Sequence, residues 1–375
     1  MNAELLFWLA VGWVVYVYLG FPVLLWALAW IFPKPVARRP VTPSVSLLVA
    51  AYNEERVIAA KVANSLALDY PRDLLEIVIV SDGSTDRTAA LAGELAQDRV
   101  RVIAHTGNRG KLTVLNEAVP LLRGEIVAFS DAASMLAPDA IRALVANFAD
   151  PRVGAVSAIY RVGALDTADI GASEAFYWKY ESFLKLRQST LGSVLGAHGS
   201  LYAIRKALYP FPAPGTINDD YVIPMRILQQ GYRVIYEPAA VSAEESAEMS
   251  GFSRRVRIMA GNVEQLREMV PLLSPPRPLP LFFFVSYKLG RLLVPFCMVA
   301  ALAAHAALLG SSGYRWLAVP HAGFYGLALW GAFRRLRPRL LQLPYYFCMI
   351  NAAAFFGFYY ATLGRGRLRW KRYAA

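Results

Sequence analysis

The sequence predicts an α/β fold, a mixed and mostly parallel sheet covered by helices and flanked by transmembrane helices. Three observations predict it. Strand-like and helix-like patterns alternate from about Thr42 to Val270, the pattern of a sheet with crossover helices. Polar and acidic residues gather where the apolar strand runs end. Long apolar segments bracket the alternating stretch on both sides.

The first apolar segment runs from about Leu5 to Phe32 without a charge. It is long enough to cross a hydrocarbon core of about 30 Å with some tilt. Met1-Asn2-Ala3-Glu4 lacks a basic n-region, and the run is too long for a cleaved signal peptide. Lys34, Arg38 and Arg39 follow it directly. Basic residues favour the cytoplasmic side, so the middle stretch is expected in the cytoplasm, at the cell (inner) membrane. The formal net charge of +12 suits anionic lipid head groups. The basic residues cluster beside the membrane segments, which argues against a nucleic-acid partner. Cys297 and Cys348 both lie in apolar runs, so neither a disulfide framework nor a thiolate metal site is expected.

Within the middle stretch, Val45–Ala51, Glu76–Val80, Val100–Ala104 and Glu125–Ser130 read as strands. Val57–Leu68, Arg87–Gln97, Leu112–Leu122 and Pro138–Phe148 read as helices. Phe252, Val256, Met259, Val263, Leu266 and Val270 then recur at spacings of three and four. That spacing predicts an amphipathic helix, lying in the membrane interface or packed as an ordinary domain helix. Three further apolar runs follow, at about Leu292–Leu309, Trp316–Phe333 and Pro344–Leu363. Arg334, Arg335, Arg337 and Arg339 precede the last run, and five more basic residues follow it. Keeping both clusters on the cytoplasmic side predicts a re-entrant or interfacial path for Pro344–Leu363.

The chemistry sits at the strand ends. The first strand runs into Tyr52-Asn53-Glu54-Glu55, the second into Ser81-Asp82-Gly83-Ser84-Thr85-Asp86, and a later one into Ser130-Asp131-Ala132-Ala133. Each alone reads equally as a turn or a helix cap. Together they deliver polar groups to one sheet edge, where such sheets bind ligands. Asp219 and Asp220 precede a helical run ending in Gly231-Tyr232. They read as caps or as an acid–base pair.

The order YNEE, DGSTD, GKLTVLNEA, FSDA and NDD before a helix resembles family 2 glycosyltransferases, enzymes of the GT-A fold. Membrane members include polysaccharide synthases and lipid glycosyltransferases. The resemblance covers about Ser44 to Met269. It implies inverting sugar transfer from a nucleotide-sugar donor, a UDP-sugar first, to a glycan or lipid acceptor, with exopolysaccharide or cell-surface glycan synthesis as the leading role. It places the nucleotide base at Asp82, with Tyr52, Asn53 and Glu54 in the same pocket. Lys111 falls beside the diphosphate. Asp131 matches the first acid of the family's Asp-X-Asp motif, which supports Mg²⁺ or Mn²⁺, but Ala133 stands where the second acid belongs. Asp220 takes the general-base position, with Asp219 beside it.

Arg257 matches the arginine of the Gln-X-X-Arg-Trp motif of processive members. Arg254 replaces its glutamine and Ile258 its tryptophan, which favours a single addition over a polymer. Gly196 and His198 are candidates for the acceptor side, and His198 reads equally as a packed loop histidine. The expected divisions are 1–42 as anchor, 43–250 as the catalytic domain, 251–280 as interfacial helix and link, and 281–375 as the C-terminal membrane domain. Three functions remain open on the sequence: polysaccharide synthesis, single-sugar transfer to a lipid, and non-catalytic sensing of nucleotide sugars.

Overall fold

A computed structural model gives the structure of the protein and describes residues 2–96, 99–163, 172–216, 218–244, 252–268, 277–334 and 339–362. In chain order, α1 (Ala3–Val15) passes through a π-helical segment, Tyr16–Gly20, into α2 (Phe21–Ile31). The domain follows with β1 (Val45–Ala51), α3 (Ile58–Leu66), β2 (Leu75–Ser81), α4 (Thr88–Glu94), β3 (Val100–Ala104), α5 (Lys111–Ala118), β4 (Ile126–Asp131) and β5 (Met135–Leu136). It continues with α6 (Ala140–Val145), β6 (Val153–Val162), α7 (Ala172–Leu191), β7 (Tyr202–Arg205), α8 (Asp219–Gln229) and β8 (Arg233–Glu244). Then come α9 (Phe252–Glu268), α10 (Pro278–Phe283), α11 (Gly290–Leu308), α12 (Ser312–Phe333) and α13 (Leu343–Thr362).

The chain divides into two compact units. One holds 31–170 and 180–248, and the other holds 1–30, 171–179 and 249–368. The first unit is built on an eight-stranded sheet of order β3-β2-β1-β4-β7-β6-β8-β5. β1, β2, β3 and β4 run parallel, β7 is antiparallel to β4 and β6, and β6 pairs with β8 in parallel. Every β1 residue is buried, which is why VSLLVAA carries no alternation: both faces are covered by helices. The register sets Ala50 beside Val80 and Asp131. The ends of β1, β2 and β4 are therefore level, and the loops that leave them share one edge.

The four strands expected near the N-terminal side of the domain form within a residue or two. β5, β6, β7 and β8 had no expectation. α4 ends at Glu94, short of the expected Gln97, which lies outside the described residues, as do Met269 and Val270. Arg38 also serves the fold, since its guanidinium meets the buried Glu237 carboxylate at 3.0 Å.

In the second unit, Ala3–Ile31 and Pro278–Leu308 are each long and apolar enough to cross a membrane, by length and composition. α12, expected as a span, and α13, expected as a re-entrant or interfacial run, have the length but fall below that apolarity. Gly, Tyr, His and Arg in α12 lower it. α13 is one unbroken helix of 20 residues, so no re-entrant turn forms inside it. α9 buries Val256 and Ala260 and packs on α13. A Cβ on Gly357 would stand 2.6 Å from that of Met259, so only glycine allows this approach.

Candidate functional site

The loops after β1 and β2 are laced together before any ligand is considered. Asn53 adopts a left-handed backbone, φ 55°, which asparagine tolerates better than most residues. Its Oδ1 accepts the Thr85 amide at 2.8 Å, and its own amide donates to Ser84 Oγ at 3.2 Å. The Glu54 amide donates to Thr88 Oγ1 at 2.7 Å. The Glu55 amide donates to Asp86 Oδ2 at 3.2 Å. Gly83 has φ 66°, and a Cβ there would lie 2.2 Å from the Gly107 carbonyl carbon. That close approach requires glycine.

Asp82 is fully buried. Its two carboxylate oxygens accept the Arg109 and Gly110 amides at 2.7 and 2.9 Å. Asp82 thus clamps the loop that leads into α5, and a further acceptor contact would use the lone pairs these amides leave.

That clamp delivers Lys111, the first residue of α5. Its Nζ lies 2.8 Å from Asp131 Oδ1 and 3.1 Å from Asp219 Oδ1. Tyr202 OH donates to Asp219 Oδ2 at 3.1 Å. Asp219 is therefore occupied on both oxygens. Asp220 Oδ2 accepts the Gly199 amide at 3.0 Å, and its main-chain oxygen accepts the Ala197 amide at 2.7 Å. Asn218, in the left-handed region at φ 62°, turns the chain so that α8 begins with the two aspartates. Asp131, Asp219 and Asp220 thus gather around one ammonium at the carboxyl edge of the sheet.

The electrostatics set Asp220 apart from an ordinary carboxylate. Burial pushes the Asp220 carboxyl up to about 6, and the charges of Asp219 and Asp131 add to that against Lys111 and Lys185. Burial opposes the charged form of Lys111, yet Asp131, Asp219 and Asp220 outweigh it and raise its pKa. Lys111 therefore stays cationic, while Asp220 titrates near the pH range where a base is useful.

Two lysines in this unit escaped the sequence reading. Lys61 is fully buried on α3, and its Nζ donates to Ser130 Oγ at 2.7 Å and to the Ser134 carbonyl at 2.5 Å. It pins both sides of the turn that carries Asp131. Burial lowers its pKa to about 7 against the pull of Asp131 and Glu244. Its signal was available, because Ile58, Lys61, Val62 and Ser65 share the buried face of α3. Lys185 on α7 donates to the Ala197 carbonyl at 3.2 Å. Burial lowers its pKa despite Glu181 and Asp220.

On the other side of Asp220, Gly196 has φ 77°, and a Cβ there would meet the Tyr221 ring at 2.6 Å. His198 stacks on Tyr160 with centroids 4.2 Å apart, and its Nδ1 lies 2.8 Å from Ser200 Oγ. His198 is thus a packed loop residue as well as an acceptor-side candidate. Arg257 and Ile258 lie on α9, in the second unit. A shallow cavity of about 320 Å³ lined by Thr42, Pro43, Glu125, Phe148 and Arg205 opens at the opposite ends of β1 and β4. In parallel sheets that is the structural edge.

Gly199 sets the spacing of the carboxylates. A Cβ there would fall 3.1 Å from Asp131 Oδ2 and 3.6 Å from Asp220 Oδ2. Both oxygens thus border one small cradle that any side chain would fill. Gly199→Ala is expected to lower activity about tenfold or more by displacing either carboxylate, with the thermal midpoint within a few degrees of the parent. Activity assays beside a melting curve check this.

Residues 46–210 match the family model Glycosyl transferase family 2. A beta-monoglucosyldiacylglycerol synthase of Nostoc sp. is 42% identical over 118 residues, 30% of this chain and 25% of that protein. A poly-beta-1,6-N-acetyl-D-glucosamine synthase of Staphylococcus aureus is 28% identical over 240 residues, 62% of this chain and 58% of that protein. The chain thus spans about a quarter to just over half the length of these curated relatives. Among solved structures, the mannosyltransferase PcManGT from Pyrobaculum calidifontis, in complex with GDP-Man and Mn²⁺, superposes with a TM-score of 0.72 at 25% identity. That match covers 96% of this chain and all of the other.

Proposed function

From a chain whose residues 46–210 form a glycosyl transferase family 2 domain on a GT-A fold, we propose inverting transfer of a sugar from a nucleotide-sugar donor to a membrane-associated acceptor. The observation that carries this reading is the grouping of Asp131, Asp219 and Asp220 around Lys111. Asp220 is the general base. It takes the proton of the acceptor hydroxyl as that oxygen attacks the anomeric carbon, and the bond to the diphosphate breaks with its electron pair on the diphosphate oxygen. The Gly199 amide on Oδ2 fixes the carboxylate plane for that task. Asp219, committed to Lys111 and Tyr202, holds the pair in place. Lys111, kept cationic, offsets charge on the departing diphosphate, and Arg257 is proposed to assist. Tyr52, Asn53, Glu54 and Asp82 frame the nucleotide base.

The donor set suits a divalent cation. Asp131 is 40% exposed, and its Oδ2 borders the cradle at Gly199. Mg²⁺ and Mn²⁺ are satisfied by few protein ligands when phosphate oxygens and water complete the shell. Asp131 would hold such an ion, and the ion when bound would neutralise diphosphate charge. Transfer is therefore expected to need a divalent cation that binds weakly without donor. Ala133→Asp, which restores a second acid, should lower the concentration of Mn²⁺ giving half-maximal activity. Cation titrations of both proteins check this, and full activity in excess chelator would contradict it.

The membrane placement is supported by Ala3–Ile31 and Pro278–Leu308 and by the basic residues after α2, which favour a cytoplasmic catalytic unit. Extension of an exopolysaccharide or cell-surface glycan is the first acceptor reading. Single-sugar transfer to a lipid is the second, favoured by Ile258 in place of the tryptophan platform. Sizing the labelled product separates a polymer from a single glycolipid band. A donor panel must include GDP- and TDP-sugars as well as UDP-sugars, because the PcManGT structure was solved with GDP-Man.

A further inference from the structure

The second unit carries one lysine and one arginine in a mostly apolar helix. Lys288 and Arg291 are interior to Pro278–Leu308. The segment after them, 292–308, has no charge, and its 17 residues span roughly 25 Å, most of a hydrocarbon core. With that segment in the bilayer, Lys288 and Arg291 fall at head-group depth. Cations at that level lie within reach of anionic lipid head groups, which attract them.

The local structure around them is built. The helix is π-helical over Phe284–Leu289, and the facing helix is π-helical over Tyr16–Gly20. π segments are rare and concentrate at functional sites. The two segments meet. Tyr16 OH lies 2.7 Å from the buried Ser286 Oγ, and Trp13 Nε1 donates to the Gly290 carbonyl at 3.2 Å. Gly290 permits the approach, since a Cβ there would lie 3.0 Å from Val17. The Arg291 guanidinium lies 4.5 Å from the Tyr287 ring centroid and 5.7 Å from that of Tyr18. Lys288 Nζ lies 5.9 Å from the same Tyr287 ring. Two cations thus flank one aromatic ring beside hydroxyl donors.

We propose that this cluster binds the phosphate of a membrane lipid. Arginine offers a fork matched to phosphate oxygens, and lysine a compact positive charge. Tyr287 and Tyr18 hold the guanidinium in place. The shared chemistry is a lipid-borne phosphate, whether a phospholipid head group or a lipid-linked phosphate. The proposal rests on the membrane placement above, and its test needs no sugar transfer, so failure here leaves the transfer reading standing.

The full chain, delipidated in detergent, is offered dioleoyl phosphatidic acid, a polyprenyl monophosphate or dioleoylglycerol, and retained lipid is counted by mass spectrometry. The wild type should keep both phosphate lipids over dioleoylglycerol. Lys288→Gln with Arg291→Gln should lose about tenfold or more of that retention, the scale of two basic residues facing an anionic lipid. Arg291→Lys should retain more than Arg291→Gln, and the single variants carry the test if the double variant does not fold. Equal retention of both phosphate lipids assigns a head-group site, and preference for the polyprenyl phosphate assigns a lipid-linked phosphate. Undiminished retention in folded variants, equal retention of dioleoylglycerol, or full displacement by inorganic phosphate would overturn the proposal.

Discussion

Asp220→Asn is expected to lower sugar transfer by roughly 10² to 10⁴-fold, the usual span for loss of a general base. Asparagine keeps the shape and can still accept the Gly199 amide, which Asp220 Oδ2 accepts at 3.0 Å, but it has no basic oxygen. Donor binding should change little, because the proposed nucleotide loops are held by Asn53 and Asp82 rather than by Asp220. The pH profile gives an independent reading. The Asp220 carboxyl is raised to about 6, so its base form is lost as pH falls through that value. The rate of the parent enzyme should therefore drop about tenfold per pH unit below pH ~6. Asp219→Asn should keep an acid limb but move it to lower pH, because the Asp219 charge helps raise the Asp220 carboxyl, while weakening the hold on Lys111. A larger loss from Asp219→Asn, with the limb abolished, would move the base to Asp219.

Asp131→Ala is expected to have the second large effect, a fall of about 10³-fold or beyond detection, because it removes charge control at the leaving group. Two losses combine. Lys111 loses its partner at 2.8 Å, and the proposed cation loses its protein ligand. Comparison with Lys111→Met separates them. If the cation carries the effect, Asp131→Ala should abolish dependence on added Mn²⁺, whereas Lys111→Met should keep that dependence at a lower rate. An active Asp131→Ala protein in excess chelator would instead assign the leaving-group charge to Lys111 or Arg257. Thermal midpoints guard against misfolding, since Asp131 is partly exposed and its removal opens no cavity in the core.

Much of the parallel half of the sheet was legible because its strands are buried on both faces and bounded by turn residues, as in β1 and β2. β6 and β8 were not, because their identity depends on pairing with each other across a long stretch of chain. Nothing local distinguishes such runs from other apolar segments. The site followed the same division. Tyr52, Asp82 and Asp131 stand at the ends of readable strands, so their common edge could be expected. That Lys111 bridges Asp131 and Asp219 depends on the Asp82 clamp and on the turn at Asn218. Neither is visible in spacing. Lys61 went unread because a lysine on an apolar helix face looks like a break in the pattern rather than a buried anchor for Ser130 and Ser134.

This chain is proposed to move a sugar from a nucleotide to a membrane-associated acceptor with Asp220 as the base. The most direct measurement is label transfer from a panel of UDP-, GDP- and TDP-sugars into membrane-bound product, with parent and Asp220→Asn membranes run side by side in Mn²⁺. Product is expected from at least one donor in the parent, and about a hundredfold less or lower in the variant, at equal protein level. Equal product from both membranes, or no product from any donor with folded parent protein, would contradict it.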